Sequence, residues 1–154
     1  WEQTMLSPAE RAMLLDTRDQ LHAALIRYGK ATRTFSMIHA DLHPRNVLID
    51  GARMAVIDFD DTGFGWHQYD VAAALSAYQG HPDFAGFRDG LIAGYRSIRA
   101  ISDEDLALLP MFLLIREMAI LGWYHQRPEL PRTAVLSRLK ERVCAIAADF
   151  EPPI

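Results

Sequence analysis

The apolar positions of this chain change period twice. Leu14, Leu21, Leu25 and Tyr28 recur at helical spacing behind Ser7-Pro8-Ala9-Glu10, which has the form of a capping box with proline at the first helical position. A helix is expected from there to Tyr28, ended by a left-handed Gly29. From Phe35 the spacing shortens, and Met37-Ile38, Val47-Leu48-Ile49 and Met54-Ala55-Val56-Ile57 read as strands. Asp50-Gly51 between the last two predicts a type I′ hairpin turn, with positive φ at both central positions. After Asp61 the strand signals stop and four helices are expected. Val71, Leu75 and Tyr78 mark the first, and Phe84, Phe87, Leu91, Tyr95 and Ile98 the second. Ser102 with three following acids opens the third, kinked or split at Pro110, and Leu136, Leu139, Val143, Ile146 and Phe150 mark the last. The expected fold class is α+β and mostly α, a helical bundle with a short β-hairpin. Two short strands are marginal alone, so the segment between Ile38 and Asp61 is expected to hold a site rather than to build the fold.

Composition narrows the class without naming a chemistry. A single domain of 154 residues, half of them hydrophobic, makes a core without disulfides or metals. The one cysteine, Cys144, reads as a packing residue and excludes a disulfide framework or a multi-cysteine zinc site. A net charge of −4, spread along the chain, lacks the clustered Lys and Arg of a nucleic-acid partner. The longest apolar run, Met111 to Ile115, stops at Arg116-Glu117, short of the ~20 residues that would span a membrane. No basic region followed by an apolar stretch opens the chain, and a cytoplasmic, reducing compartment is expected. The first residue is Trp1 rather than Met, so the chain is expected to begin inside a larger parent.

The polar cluster is densest in Ile38-His39-Ala40-Asp41-Leu42-His43-Pro44-Arg45-Asn46, followed by Val56-Ile57-Asp58-Phe59-Asp60-Asp61. A hairpin that starts after Asn46 and turns at Asp50-Gly51 returns Asp58 alongside Asn46, so Asp41, Asn46 and Asp58 converge at its base. Oxygen ligands in that arrangement suit Mg²⁺ shared with substrate phosphates, with one carboxylate left to handle a proton.

His39-x-Asp41-x-x-x-x-Asn46, a hairpin, then Ile57-Asp58 resembles the catalytic segment of the aminoglycoside phosphotransferase and choline kinase superfamily, and more remotely the protein kinase loop. The resemblance implies the C-terminal, catalytic lobe of a kinase-like fold and transfer of the γ-phosphoryl group of ATP, with Mg²⁺, to a hydroxyl of a small molecule. It makes Asp41 the catalytic aspartate and Asn46 and Asp58 the metal ligands, and such transfer is mainly positioning and charge neutralisation. His39 is counted with the catalytic residues, bracing the loop being set against direct chemistry. His43 stands where protein kinases place a phosphate-facing lysine, so a phosphate-facing role is set against a solvent-facing one. Leu48 and Ile57 resemble the floor of an adenine pocket, and Asp70 would accept backbone N–H bonds from the catalytic loop. Arg45 is expected to be solvated, while for Asp60 a second carboxylate near the metal is set against a turn that it would form with Asp61. Trp66, Tyr78, Trp123, Tyr124 and His125 are expected in the core rather than in a substrate pocket.

Nothing before His39 supplies the glycine-rich loop, strand lysine and acidic helix partner of a nucleotide-clamping lobe. Residues 1–154 are therefore expected to be one lobe, partnered by a missing N-terminal lobe and by itself weak in nucleotide binding and negligible in turnover. Aminoglycosides, homoserine, choline, methylthioribose, macrolides and protein serine or threonine are acceptors of enzymes that resemble this one. The stretch from Ile57 to Gly65 looks more like metabolic or stress-linked members than dedicated resistance enzymes. Two other classes remain: a metal-dependent hydrolase built on His39, Asp41, His43, Asp58 and His67, and a non-catalytic module derived from a kinase lobe.

Overall fold

In chain order the elements are α1 (Pro8–Tyr28), β1 (Phe35–Ile38), a 3-10 turn (Pro44–Asn46), β2 (Val47–Asp50), β3 (Arg53–Val56), β4 (Gly63–Trp66), α2 (His67–Ser76), α3 (Phe84–Ile98), α4 (Asp103–Ala107), α5 (Leu109–His125) and α6 (Ala134–Ala148). They come from a computed structural model that describes residues 6–127, 129–130 and 134–153. Trp1, and with it the expectation of a start inside a larger parent, lies outside the described residues. The chain forms two compact units, the described parts of Trp1–Gly29 with Leu114–Ile154, and Lys30–Leu113.

In the first unit the capping box is complete. Ser7 Oγ accepts from the Glu10 N–H (3.2 Å) and Glu10 Oε2 accepts from the Ser7 N–H (2.7 Å), so two of the orphan donors at the helix start are satisfied. The other oxygen of Glu10 meets Lys140 Nζ of α6 (2.9 Å). Together the Ser7 backbone N–H and the Lys140 ammonium hold the Glu10 carboxyl down at about 2. Leu14, Leu21 and Ala24 of α1, Leu121 of α5 and Leu139, Val143 and Ala147 of α6 are buried. So is Glu117, whose carboxylate is raised by burial even though Arg142 pairs with it. Cys144 is half-buried, and burial pushes its thiol up, which suits a packing residue. Trp123 departs from the expected core placement: it is 46% exposed, with the Arg127 guanidinium 4.1 Å over its ring.

The second unit carries two antiparallel pairs, β1 with β4 and β2 with β3. The sequence reading had no strand after Asp61, and β4 corrects it. Gly63-Phe64-Gly65-Trp66 carries two glycines, which weaken any strand signal, yet it pairs in register Phe35↔Trp66 through Ile38↔Gly63. Glycine at 65 answers a packing demand, because a Cβ there would overlap the Ile38 side chain, whose Cγ1 would lie only 2.9 Å away. The hairpin turn is also different from the expected one. Asp50 pairs with Arg53, so Gly51 and Ala52 are the central residues, and positive φ occurs at Gly51 alone (57°), the type II′ requirement rather than type I′.

The helices follow the reading. α4 and α5 are separate, with Pro110 in the first turn of α5, where its missing N–H costs nothing. Ser102 caps α4 by accepting from the Asp105 N–H (3.0 Å), and the buried Asp105 carboxylate pairs with Arg33. Val71, Ala72, Ala73 and Leu75 of α2 and Leu108, Met111 and Phe112 are among the buried apolar residues of this unit, and α2 packs on β1 and β4. Trp66 packs edge-on to Phe35 (5.1 Å) and against Phe112 (6.3 Å), and Tyr78 lies on Phe87 (4.3 Å).

Replacing Gly65 by alanine should cost about 1–3 kcal/mol in a denaturant titration, since buried, β-branched Ile38 has little freedom to move aside. Glu10 sets a pH dependence of known sign. Its pKa is depressed in the folded chain, so its contribution is present above the ordinary glutamate range and is lost as pH falls towards about 2. Glu10→Gln should lower stability by about 1 kcal/mol at neutral pH and make the acid limb of a thermal-melt pH series shallower.

Candidate active site

The pairing of β1 with β4 closes the chain at Ile38↔Gly63, so everything from His39 to Thr62 is one excursion tied at both ends. The tie continues beyond the strands, where the His67 N–H donates to the Thr34 carbonyl (2.9 Å) and Ser36 Oγ meets His67 Nε2 (2.7 Å). His67 is buried, which pushes its imidazole below the ordinary histidine range.

The first residues of the excursion turn sharply. Ala40 has φ 67°, the left-handed region that costs a β-carbon roughly 1–2 kcal/mol. Asp70 of α2 offsets this. Its Oδ2 accepts from the His39 N–H (2.9 Å) and its Oδ1 from the Ala40 N–H (2.8 Å), so one carboxylate satisfies the two amides that lead into the bend. Asp70 sits in the first turn of α2, where a carboxylate ordinarily serves its own helix. Here it serves the loop, as the sequence reading has it. His39 is buried and locks the loop from the other side. Its Nδ1 accepts from the Asp41 N–H (3.3 Å), which leaves Nε2 to donate to the Ile57 carbonyl (3.0 Å), and its ring lies 4.9 Å from that of Phe59.

Beyond Asp41 the chain enters the 3-10 turn. His43, extended because proline follows it, donates its N–H to the Asp41 carbonyl (2.8 Å) and caps the turn, Nδ1 accepting from the Arg45 N–H (3.2 Å). Its Nε2 lies 3.5 Å from Asp41 Oδ2. The turn carries Asn46, buried, whose Nδ2 donates to the Asp41 carbonyl (3.0 Å) and approaches Asp41 Oδ2 (3.4 Å). The Ile57 N–H then donates to the Asn46 carbonyl (3.0 Å), extending the β2–β3 ladder by one bond and setting Asp58 beside Asn46. Asp58 is exposed and has φ 65°, a conformation that aspartate tolerates better than most residues.

Asn46 and Asp58 fit a hard divalent cation by the chemistry of their atoms. The amide NH₂ of Asn46 is engaged by Asp41, so its carbonyl oxygen is the atom left to coordinate, and Asp58 adds a solvent-facing carboxylate. The hydrolase grouping of His39, Asp41, His43, Asp58 and His67 is not assembled, and both ring nitrogens of His39 are already bonded to the backbone. Among the described residues no group of three or more His, Cys, Asp or Glu is placed to hold a metal. Leu48 (52%) and Ile57 (40%) are largely uncovered, and so is Phe59, which leaves an apolar face on the hairpin side of the site. Arg45, Asp60 and Asp61 are exposed, and a Thr62 N–H to Phe59 carbonyl bond (3.1 Å) closes a turn across Asp60 and Asp61. Sequence reasoning missed Ala40 and Phe59. A positive φ at alanine leaves no mark in the sequence, whereas an aromatic after Ile57-Asp58 could have been paired with buried His39.

The chain is similar to known proteins. The family model described as "Phosphotransferase enzyme family" matches residues 1–107. The amicoumacin kinase of Bacillus subtilis is 28% identical over 153 residues, covering 94% of this chain and 45% of the relative. Among solved structures, a microcompartment-associated aminopropanol kinase matches with TM-score 0.76 and 33% identity over 92% of this chain and 45% of that one. An amicoumacin kinase in complex with AMP-PNP, Ca²⁺ and Ami matches with TM-score 0.78 and 25% identity over 99% of this chain and 50% of that one. The chain thus spans about half the length of these relatives. With the family model matched from residue 1 through the loop, hairpin and Asp70 to residue 107, this chain belongs to the phosphotransferase enzyme family.

Proposed function

We propose that the protein is a kinase that transfers the γ-phosphoryl group of ATP to a hydroxyl of a small molecule, and that this chain is its catalytic lobe. The observation that carries the reading is the bonded sequence Asp70, His39-Ala40, Asp41, Asn46, Ile57-Asp58, in which every link is a hydrogen bond or one peptide unit. Asp41 takes the acceptor's proton as the hydroxyl oxygen bonds to the γ-phosphorus and the bond to the β,γ-bridging oxygen breaks. Asn46 Oδ1 and the Asp58 carboxylate hold Mg²⁺, which neutralises phosphate charge when bound. Leu48 and Ile57 offer the apolar surface on which an adenine ring lies. His39 and Asp70 act at one remove by keeping the loop's shape. A nucleotide-clamping lobe elsewhere in the complete protein supplies the remaining phosphate contacts, so the 154 residues alone turn over negligibly. The structure in complex with AMP-PNP and Ca²⁺ supports nucleotide and divalent-cation use. The aminopropanol kinase supports amino alcohols as the first acceptors to try.

Two measurements test the reading on the complete protein. With Mg²⁺-ATP and a panel of amino alcohols and aminoglycosides, Asp41→Asn should lower kcat by about 10²–10⁴-fold while leaving nucleotide binding by calorimetry intact. Turnover unaffected by that change would overturn the assignment. Asp70→Asn leaves one loop N–H facing an NH₂ group, and the resulting shift of the loop should cost about 10²-fold in kcat with a folded circular-dichroism spectrum retained.

A further inference from the structure

His43 has a place in the site that the comparison with a protein kinase lysine does not describe. Its ring meets protein groups at both nitrogens, a hydrogen bond at Nδ1 and a carboxylate oxygen 3.5 Å from Nε2. Pro44 restricts His43 to extended backbone (φ −106°, ψ 164°), which carries the side chain over the 3-10 turn. There the Arg45 N–H, an obligatory donor, points at Nδ1 (3.2 Å). A nitrogen that accepts cannot also carry the proton, so in the neutral ring the hydrogen sits on Nε2. Nε2 faces Asp41 Oδ2 at 3.5 Å, and the Asn46 Nδ2 approaches the same oxygen at 3.4 Å. Two donors therefore converge on one oxygen of the carboxylate from opposite ends of a single turn. Both distances are long for hydrogen bonds, as catalytic contacts often are before substrate tightens them.

We infer that His43 is a positioning residue for Asp41: its Nε2–H holds Oδ2 and so fixes the orientation in which the carboxylate meets the acceptor hydroxyl. The role of Asp41 in this inference rests on the kinase reading above, while the contact itself does not. The same ring also caps the turn that presents Asn46, and the His43 backbone N–H donates to the Asp41 carbonyl (2.8 Å). One imidazole thus ties the proton acceptor to the turn that bears a proposed metal ligand.

Two near-isosteric substitutions separate the two nitrogens. Asparagine puts an amide oxygen near the place of Nδ1 and keeps the cap but loses the donor to Asp41. Glutamine puts an amide NH₂ near the place of Nε2 and keeps that donor but loses the cap. In the complete protein with Mg²⁺-ATP and a turned-over amino alcohol, His43→Ala and His43→Asn should lower kcat about 10- to 100-fold with KM for ATP little changed. His43→Gln should restore most of that loss. Wild-type rates in His43→Asn with a slow His43→Gln would reduce His43 to a cap. A raised KM for ATP, reversed by His43→Lys, would make it a phosphate contact, and either result overturns the inference. Imidazole nitrogen NMR of the same protein reads the contact without turnover, so it separates this inference from the kinase reading. The Nε2-protonated tautomer is expected, with a resonance that moves in Asp41→Asn. The opposite tautomer, or no response, sinks the inference even if the kinase reading stands, and absence of any turnover sinks the kinase reading while this contact is still decided.

Discussion

The site depends on one carboxylate that takes no direct part in it. Asp70 accepts the N–H groups of His39 and Ala40, and directly after those bonds the chain bends through a left-handed alanine. Without a fixed acceptor on both amides, a residue with a β-carbon relaxes out of that region, and the direction of Asp41, the next residue, relaxes with it. From Asp41 onward each group leans on the one before. The Asp41 carbonyl receives the Asn46 amide and the His43 N–H, and the Asn46 carbonyl receives the Ile57 N–H that places Asp58. The order of dependence therefore runs from helix α2 outward, from a well-buried element to exposed strands.

That order explains how polar and apolar residues are distributed. His39 and Asn46 are buried although polar: both ring nitrogens of His39 are bonded to the backbone, and the NH₂ of Asn46 lies on the Asp41 carbonyl. The hairpin is the reverse: Ile49 and Met54, opposite one another across β2 and β3, are 72% and 71% exposed. Site geometry is fixed by bonds to the buried loop and the α2 carboxylate, while the hairpin contributes reach and an uncovered surface.

Much of this was legible in the sequence, and the reasons differ by residue. Ser7-Pro8-Ala9-Glu10 was readable because a capping box is a local device whose partners lie within one turn. The break at Pro110 was readable because proline removes a donor wherever it stands. Asn46 and Asp58 meet because a two-residue turn leaves few registers. The turn type was not legible, since Asp-Gly suits type I′ equally well and only the pairing of Asp50 with Arg53 moves the turn by one residue. β4 was hidden because its glycines answer to Ile38, a neighbour distant in sequence. Trp123 was misplaced for a related reason, as an aromatic at helical spacing does not say which side of its helix is covered.

The exposed hairpin has a thermodynamic consequence. Four-residue strands with no fully buried side chain open to solvent more easily than a buried helix such as α2, so Asn46 and Asp58 flank a weakly protected part of this region. Any nucleotide and cation bound there add their binding free energy to that local equilibrium. Occupancy of the site and order in the hairpin are then linked quantities, and each must rise and fall with the other.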